Sequence, residues 1–499
     1  ICMLLCEQHV VDIPAEDEEA LYAGKMSAYQ FMMNRITNLE ITPAQLALDP
    51  CNASVVITDV NTGDVLAMVS YPGYDNNKMA NTVDAEYYAQ LNADKSSPQL
   101  NFATQYKAAP GSTFKIVSAT AGLMENVINL QTRVNCVGTF TEITPSPRCW
   151  KISGHGYENV TSAIRDSCNY FFYTVGSRLY ENTDDQLYKT AALYGLTTKT
   201  GIDLPGELQG YVASQTTLYD KNKAISAAEQ STWRPSIVFN NIKKHLVDVG
   251  EQYNMTFDEE KLNKCVKRLM DMAVDYNQND WLPEIRTILM EELDMPRELV
   301  YLQIVAGDTY IMLNEIKWGG SEAIMAAVGQ SITTVTPVAM ARYVAAVANG
   351  GKVYDLRLID SIISPDGEVL SESTPILASE IEGDGVQEYL AALRQGMSDV
   401  TKDEGTAGSF FKGEYADVGE KMGAKTGTAE KTSIDLENNA WMVAFAPYDD
   451  PQIAVCVYIP HGYSGSYCSI TIREVLNYYL EHMDLDSEDI MPPSNALAY

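Results

Sequence analysis

Two strand-like hairpins lie near opposite ends of this chain, at residues 55–69 and 441–459. Each consists of two runs rich in Val, Ile, Ala and aromatic residues, joined by a turn of Asn, Gly, Pro or Asp. Between them, residues 113–125 and 337–348 carry Ala, Val and Met at helical spacing. Strands first, helices in the middle and strands last predict an α+β fold. We expect the two hairpins to meet in one antiparallel sheet flanked by helices.

Residues 215–320 differ from the rest of the helical stretch because they are charged and strongly amphipathic. A capping box is predicted to begin at Thr256, and apolar residues then recur on one helical face from Leu262 to Ala273. A second helix is predicted over Trp281–Leu293. We interpret residues 215–320 as a helical insertion within the main domain.

The other domain boundaries follow from changes in pattern. Residues 1–52 look helical and accessory, with a helix start at Thr42. The main domain is predicted to cover residues 53–485, including the insertion, and residues 486–499 form a C-terminal tail.

Charge and hydropathy limit the partners of the chain. Its 499 residues carry a formal net charge of −32, which argues against nucleic acid because phosphate binding needs clustered Lys and Arg. We find no run of about 18 apolar residues that would predict a membrane span. Because the chain starts at Ile1, we expect the parent protein to have a preceding segment, such as a membrane anchor.

The first candidate motif joins a serine to a lysine three residues later. Pro110 and Gly111 precede Ser112, and an apolar helical pattern follows, so Ser112 is predicted in the first turn of a helix. Positions i and i+3 share a helix face, which makes Ser112 and Lys115 neighbours. A serine hydroxyl needs an adjacent base to act as a nucleophile, and a lysine supplies one when its pKa is lowered by burial or by a nearby cation.

The second motif is Ser167-Cys168-Asn169, which opens another predicted helix. Ser167 offers a hydroxyl that can relay a proton from Lys115, and Asn169 offers an amide that can hold a substrate peptide group. Taken alone, the same residues also fit an ordinary serine at a helix N-cap.

The third motif is Lys425-Thr426-Gly427-Thr428. Lys425 and the two hydroxyls suit a terminal carboxylate, and Gly427 allows another backbone to approach closely. A strand edge here can pair with an extended peptide, and the Thr428 N–H can form an oxyanion hole with the Ser112 N–H. The similar letters at residues 199–201 run into a turn without a hydroxyl after the glycine, and we interpret them as structural.

Three cysteines and a histidine lie between the first motif and the end of the second: Cys136, Cys149, His155 and Cys168. Three thiols and an imidazole match a closed tetrahedral zinc site. A Cys136–Cys149 disulfide and simple buried thiols are the alternatives. The chain has nine cysteines, an odd number that cannot pair completely.

In this order, the three motifs resemble those of the serine penicillin-recognising enzymes. The chain is most similar to class B penicillin-binding proteins, monofunctional transpeptidases of peptidoglycan. Further stretches that resemble the family lie at residues 58–68, 71–77, 200–207 and 328–337. The insertion at residues 215–320 is longer than is usual in the family. Most of the family's non-catalytic N-terminal module is missing, so the sequence does not decide whether a glycosyltransferase domain lies upstream.

The resemblance implies a penicillin-binding fold and a reaction on D-Ala-D-Ala stem peptides, with D-Ala released and the acyl group passed to an amine. It makes Ser112 the nucleophile and Lys115 the general base, with Ser167 and Asn169 assisting. Lys425, Thr426, Gly427 and Thr428 bind the substrate. β-Lactams acylate the same serine, and the chemistry needs no cofactor.

The resemblance also bears on the metal and on the setting. Some elongation-type members have a zinc site in this region, whose last ligand is the middle residue of the second motif, here Cys168. The family places the catalytic domain on the outer side of the bacterial cell membrane, in a cell-wall synthase complex. The alternative is a non-catalytic protein, either a β-lactam sensor or a structural component of that assembly.

Overall fold

The two predicted hairpins meet side by side in the computed structural model, which describes residues 13–38, 52–182, 185–225, 233–430 and 437–483. The strands are, in chain order, β1 (Ala53–Asp59), β2 (Val65–Tyr71), β3 (Val134–Cys136), β4 (Gly156–Glu158), β5 (Lys352–Tyr354), β6 (Ser361–Ile363), β7 (Val369–Glu372), β8 (Leu377–Glu380), β9 (Gly423–Ala429), β10 (Asn439–Ala446) and β11 (Ile453–Ile459). Five of them form an antiparallel sheet in the order β2-β1-β11-β10-β9. Val56 pairs with Cys456 where the hairpins meet, which confirms the predicted α+β fold.

The regular structure between β2 and β9 is mainly helical, as predicted, and the strands there are short. The α-helices are, in chain order, α1 (Ala15–Tyr22), α2 (Ala28–Thr37), α3 (Asn76–Met79), α4 (Ala85–Ala93), α5 (Lys115–Met124), α6 (Val160–Arg165), α7 (Asn169–Asn182), α8 (Gln186–Leu193), α9 (Gln215–Leu218), α10 (Arg234–Gln252), α11 (Glu259–Asp275), α12 (Trp281–Leu293), α13 (Arg297–Val300), α14 (Asp308–Leu313), α15 (Gly320–Ala327), α16 (Pro337–Ala348), α17 (Val386–Asp399), α18 (Ala416–Glu420) and α19 (Ser469–His482).

The sheet is covered on both faces, and β10 shows this most clearly because all of its residues are buried. Successive side chains of a strand point to opposite faces. Trp441 and Phe445 therefore pack into one core together with α16, whereas Met442 and Ala444 pack into a second core with Ile472 of α19. A strand that is buried on both sides holds its neighbour β9 in a fixed position at the edge of the sheet.

The helices between Tyr219 and Ile316 enclose a hydrophobic core of their own, centred on residues such as Leu269 and Trp281. The two ends of this helical module lie together. The Gln215 amide donates to the Ile316 carbonyl at 3.1 Å and accepts from the Trp318 N–H at 2.8 Å. The interpretation of residues 215–320 as an insertion stays a prediction, and these contacts support it.

Two predictions within the module have different outcomes. The helix over Trp281–Leu293 is confirmed with the predicted bounds. The capping box at Thr256 is wrong, because α11 is capped by Asp258, whose carboxylate accepts from the N–H groups of Glu260 and Lys261. Asp258 accepts hydrogen bonds from these two N–H groups, so the helix begins at Glu259, two residues later than a cap at Thr256 would place it.

The ends of the chain are only partly described. Helices α1 and α2 lie within the segment predicted as accessory, and α2 begins with a capping box between Ser27 and Gln30. The helix start predicted at Thr42 and the tail 486–499 lie outside the described residues. The division into 1–52 and 53–485 stays a prediction. Among the described helices, none combines the length and apolar character of a membrane span.

Candidate active site

Ser112 lies in a short 3₁₀ turn, Gly111–Phe114, that leads directly into α5. The sequence predicted Ser112 in the first turn of an α-helix, and the structure replaces that turn with the tighter 3₁₀ form that often precedes one. Ser112 is half-buried, whereas Lys115, the first residue of α5, is fully buried. The nucleophile candidate therefore reaches solvent while its partner lysine does not.

The second motif lies opposite this turn, at the junction of α6 and α7. Ser167 has a left-handed backbone with φ 50°, so it is not the ordinary helix cap that its sequence also fitted. The Lys115 Nζ donates to the Ser167 carbonyl at 2.8 Å, to its hydroxyl at 3.2 Å and to Asn169 Oδ1 at 2.6 Å. The indole of Trp150 also donates to the Ser167 carbonyl, at 3.2 Å. Lys115 is thus fixed by both polar residues of the second motif.

The third motif lies on β9, at the edge of the sheet. The Lys425 Nζ donates to the Ser167 hydroxyl and to the Thr426 carbonyl, each at 2.9 Å. The Thr426 hydroxyl is 2.8 Å from the hydroxyl of Thr406. The Thr428 hydroxyl accepts from the Gly465 N–H at 3.0 Å. All three motifs, far apart in sequence, therefore meet around the Ser167 side chain.

The two buried lysines differ from exposed lysines in their affinity for protons. Burial lowers the pKa of Lys115 to about 8, an effect that negative charge on Cys168 and Cys149 partly opposes. Burial, followed by the charge of Lys115, lowers the pKa of Lys425 well below its usual range, and Asp166 opposes this. The sequence predicted that burial or a nearby cation would lower the pKa of Lys115, and burial is the cause in the structure. The repulsion between the amines lowers the pKa of Lys425 instead.

The Ser112 hydroxyl has no hydrogen-bond partner within the described parts of the chain. A direct Ser112–Lys115 hydrogen bond is therefore not formed in this structure, although the two residues are neighbours along the same turn. Catalytic hydrogen bonds are often long or poorly aligned until a substrate is bound. The roles that the sequence assigns to Ser112, Lys115, Ser167, Asn169 and Lys425 stay predictions.

Backbone contacts through glycines hold the Ser112 turn against the Gly329 segment, and β9 against the Gly465 segment. A Cβ on Gly329 would collide with the Gly111 carbonyl, and a Cβ on Gly465 would collide with the Gly427 carbonyl. The Gly111 N–H also donates to the Gly329 carbonyl at 2.9 Å. Because glycine lacks a side chain, these segments approach each other at backbone distance.

A cavity of about 370 Å³ opens beside Ser112. Its lining contains predicted residues of all three motifs and several that the sequence did not reveal. The lining residues are Ser112, Trp150, Ser167, Asn169, Val328, Gln330, Thr406, Thr426, Thr428, Glu430, Asn438, Ser464 and Ser466.

Some of the missed residues left a signal in the sequence. Trp150 follows the candidate ligand Cys149, and Glu430 continues the alternation that begins at Thr426 and Thr428. Thr406 and Ser466 left none, because only the folded chain brings them to β9, where the Ser466 hydroxyl donates to the Thr406 carbonyl at 3.0 Å. The similar letters at 199–201 lie outside the cavity lining, as expected, and there the Thr200 N–H donates to Glu207 at 2.8 Å.

The cysteine and histidine cluster adjoins the second motif. The Sγ atoms of Cys136, Cys149 and Cys168 and a ring nitrogen of His155 all lie within 4.8 Å of one another. His155 Nδ1 is 3.6 Å from Cys136 Sγ and 3.5 Å from Cys149 Sγ. All three cysteines are buried free thiols in the structure. The Cys168 thiol and His155 lower the pKa of both Cys136 and Cys149 by hydrogen bonding.

The fold and the three converging motifs are those of the serine penicillin-recognising proteins. The chain belongs to the penicillin binding protein transpeptidase domain family, whose sequence model matches residues 53–278 and 305–477. The unmatched residues 279–304 lie inside the helical module.

Comparisons with individual proteins agree with this family. Over 450 residues the chain is 26% identical to the peptidoglycan D,D-transpeptidase MrdA of Haemophilus influenzae, covering 87% of this chain and 54% of that relative. The chain thus spans about half the length of the curated relatives it matches.

Solved structures show the same fold at low sequence identity. The Helicobacter pylori penicillin-binding protein PBP2, solved in complex with MreC, superposes with a TM-score of 0.58 at 20% identity, covering 86% of this chain and 60% of that one. Penicillin-binding protein A of Mycobacterium tuberculosis, solved as an imipenem acyl-enzyme, gives 0.57 at 19% identity, covering 86% and 74%.

Proposed function

We propose that this chain cross-links peptidoglycan by acyl-serine D,D-transpeptidation on D-Ala-D-Ala stem peptides, and that β-lactams inhibit it covalently. The observation that carries this proposal is the convergence of two buried amines, Lys115 and Lys425, on the Ser167 hydroxyl beside the cavity that contains Ser112. An amine with a lowered pKa is partly unprotonated near neutral pH and can accept a proton.

The acylation step follows from this arrangement. The Ser112 Oγ attacks the carbonyl carbon between the two D-Ala residues, and Lys115 takes the hydroxyl proton. The Ser112 and Thr428 N–H groups stabilise the oxyanion. When the C–N bond breaks, the Ser167 hydroxyl passes a proton to the leaving D-Ala amine and is reprotonated by Lys115. The D-Ala leaves with the proton that Ser112 lost.

The second step transfers the acyl group. An amine of a neighbouring strand attacks the Ser112 ester and loses a proton through the same lysine, and the proton returns to the Ser112 oxygen. Among the described residues β9 pairs only with β10, so its other edge can hold the donor peptide as an added strand, with its terminal carboxylate near Lys425 and Thr426. Asn169 positions a peptide group of the donor.

A fluorescent penicillin tests the nucleophile. We expect covalent labelling of the wild-type chain, no labelling of Ser112→Ala, and a labelled peptide that contains Ser112. Labelling of Ser112→Ala at the wild-type rate would refute the assignment. Turnover separates an enzyme from a β-lactam sensor, because a sensor is labelled but releases no D-Ala from a stem peptide.

We also propose a structural zinc ion held by Cys136, Cys149, His155 and Cys168. Tetrahedral zinc with Zn–S bonds of about 2.3 Å and Zn–N bonds of about 2.0–2.1 Å separates its ligand atoms by about 3.5–3.8 Å. The His155 contacts at 3.6 and 3.5 Å fit that geometry, and three thiols with one imidazole are a ligand set that structural zinc prefers. Zinc would tie β3 and the Cys149 segment to the residue between Ser167 and Asn169.

The proposed setting is a cell-wall synthase complex at the bacterial cell membrane, with this domain on the outer side. The complex of the Helicobacter pylori relative with MreC supports a role in an assembly.

A further inference from the structure

One row of side chains on β9 runs along the cavity floor. Thr426, Thr428 and Glu430 all line the cavity, whereas the residues that alternate with them are absent from its lining. This is the period of two that a strand produces. Glu430, the residue after the end of β9, therefore continues the row of hydroxyls that the proposed reaction uses.

The cavity carries opposite charges at its two ends. Lys115 and Lys425 lie buried behind the end that contains Ser167 and Thr426. At the other end, Glu430 is exposed, and it is the one charged side chain among the described lining residues. An extended ligand with a carboxylate at one end and a cation some distance away complements this pattern.

The spacing of the row sets the position of that cation. Four residues of a strand place the Cα atoms of Thr426 and Glu430 about 13 Å apart. A peptide whose terminal carboxylate lies at Lys425 and Thr426 covers about 7 Å of this distance with its last two residues. A side chain of lysine length on the preceding residue can span the remainder.

We propose that Glu430 is a specificity-determining residue that binds the side-chain ammonium group of the residue preceding D-Ala-D-Ala in the donor peptide. This inference rests on the proposed function and names the charge of the substrate that the site selects. Because Glu430 is exposed, the attraction resembles a surface ion pair in strength. We expect a preference of about three- to fivefold that weakens as salt is added.

Two peptides that differ in one charge test the proposal. They are Nα-acetyl-L-Lys-D-Ala-D-Ala with a free ε-amine and the same peptide with that amine acetylated. Each is used to slow the labelling of Ser112 by a fluorescent penicillin, which measures binding without requiring turnover. We expect the free amine to protect at about a three- to fivefold lower concentration in the wild-type chain, and equal protection by both peptides in Glu430→Gln.

Glu437→Gln is the matched control, because Glu437 is an exposed neighbour of the same charge that does not line the cavity. Equal protection in the wild-type chain, protection by neither peptide, or an unchanged preference in Glu430→Gln overturns the proposal. An equal loss of preference in Glu437→Gln also overturns the proposal. The preference would then come from the overall negative charge near the cavity and not from Glu430. Failure of penicillin to label the wild-type chain instead contradicts the proposed function.

Discussion

Lys115 and Lys425 donate to the same acceptor, the Ser167 hydroxyl, at 3.2 and 2.9 Å. Two ammonium groups this close and fully buried repel each other, so one of them gives up its proton more easily than an exposed lysine does. The pKa of both amines is lowered. The shared hydroxyl therefore joins two buried amines that hold their protons less tightly than exposed lysines do.

The pH dependence of acylation tests the role of Lys115 as the base. Its pKa is lowered to about 8 by burial, and only the unprotonated amine accepts a proton. The rate of penicillin acylation should therefore rise with pH through about 8 and then level off. Stopped-flow labelling measures the rate, with thermal melts at each pH to show that the chain stays folded. A rate that still climbs above about pH 9, as for an ordinary lysine with a pKa near 10.4, contradicts this role.

Removal of the Ser167 hydroxyl tests the proton relay. Ser167→Ala should slow acylation by about 100-fold or more, the usual effect of losing a group that transfers protons, while the melting temperature changes little. The left-handed backbone at φ 50° is unfavourable for alanine as it is for serine. Ser167→Gly accepts that backbone without strain and also lacks the hydroxyl. Recovery of the rate in Ser167→Gly would show that the backbone, and not the hydroxyl, limits acylation.

The zinc proposal predicts the metal content of the purified protein. We expect about one zinc per chain, a small fraction of that in Cys149→Ser, and a lower melting temperature for the variant. Penicillin labelling should slow as well, because the segment that contains Ser167 and Asn169 would no longer be held in place by zinc bound to Cys168. Cys265→Ser is the control, since Cys265 is a buried free thiol in the helical module. Wild-type protein without zinc ends the proposal.

We expect the rest of the chain to fold and to react with penicillin without the helical module. Its ends are joined through Gln215, which contacts both Ile316 and Trp318, and its core is separate from the main one. We expect a chain in which residues 219–315 are replaced by a short Gly-Ser linker to fold and to be labelled by penicillin. Soluble expression and labelling measure this, with the same deletion in Ser112→Ala as the blank. A folded but unlabelled deletion would show that the module supports the site.

Sequence reasoning located the sheet and the three motifs because their signals are local. The apolar runs in β1 and β10 and the turns beside them specify strands, and the spacing of Ser112 and Lys115 specifies one side of a helix. Contacts set by tertiary packing were not accessible. Thr406 reaches Thr426 from a segment with no pattern of its own, and nothing in the sequence indicated a left-handed backbone at Ser167.

The cysteine and histidine cluster could be predicted only in part from the sequence. The residue types indicated a metal, but the spacing left a disulfide and buried thiols open. The convergence of four ligand atoms became visible only when β3, the Cys149 segment and the start of α7 were placed together.

The backbone contacts at Gly329 with Gly111, and at Gly465 with Gly427, leave no room for a side chain. Evolution or engineering therefore cannot adjust the gap between the nucleophile turn and the Gly329 segment, or between β9 and the Gly465 segment, by exchanging one of these glycines for another residue. Variants with altered drug susceptibility should instead accumulate around the cavity wall, at positions such as Trp150, Gln330 or Asn438, where size and polarity can change while the frame stays intact.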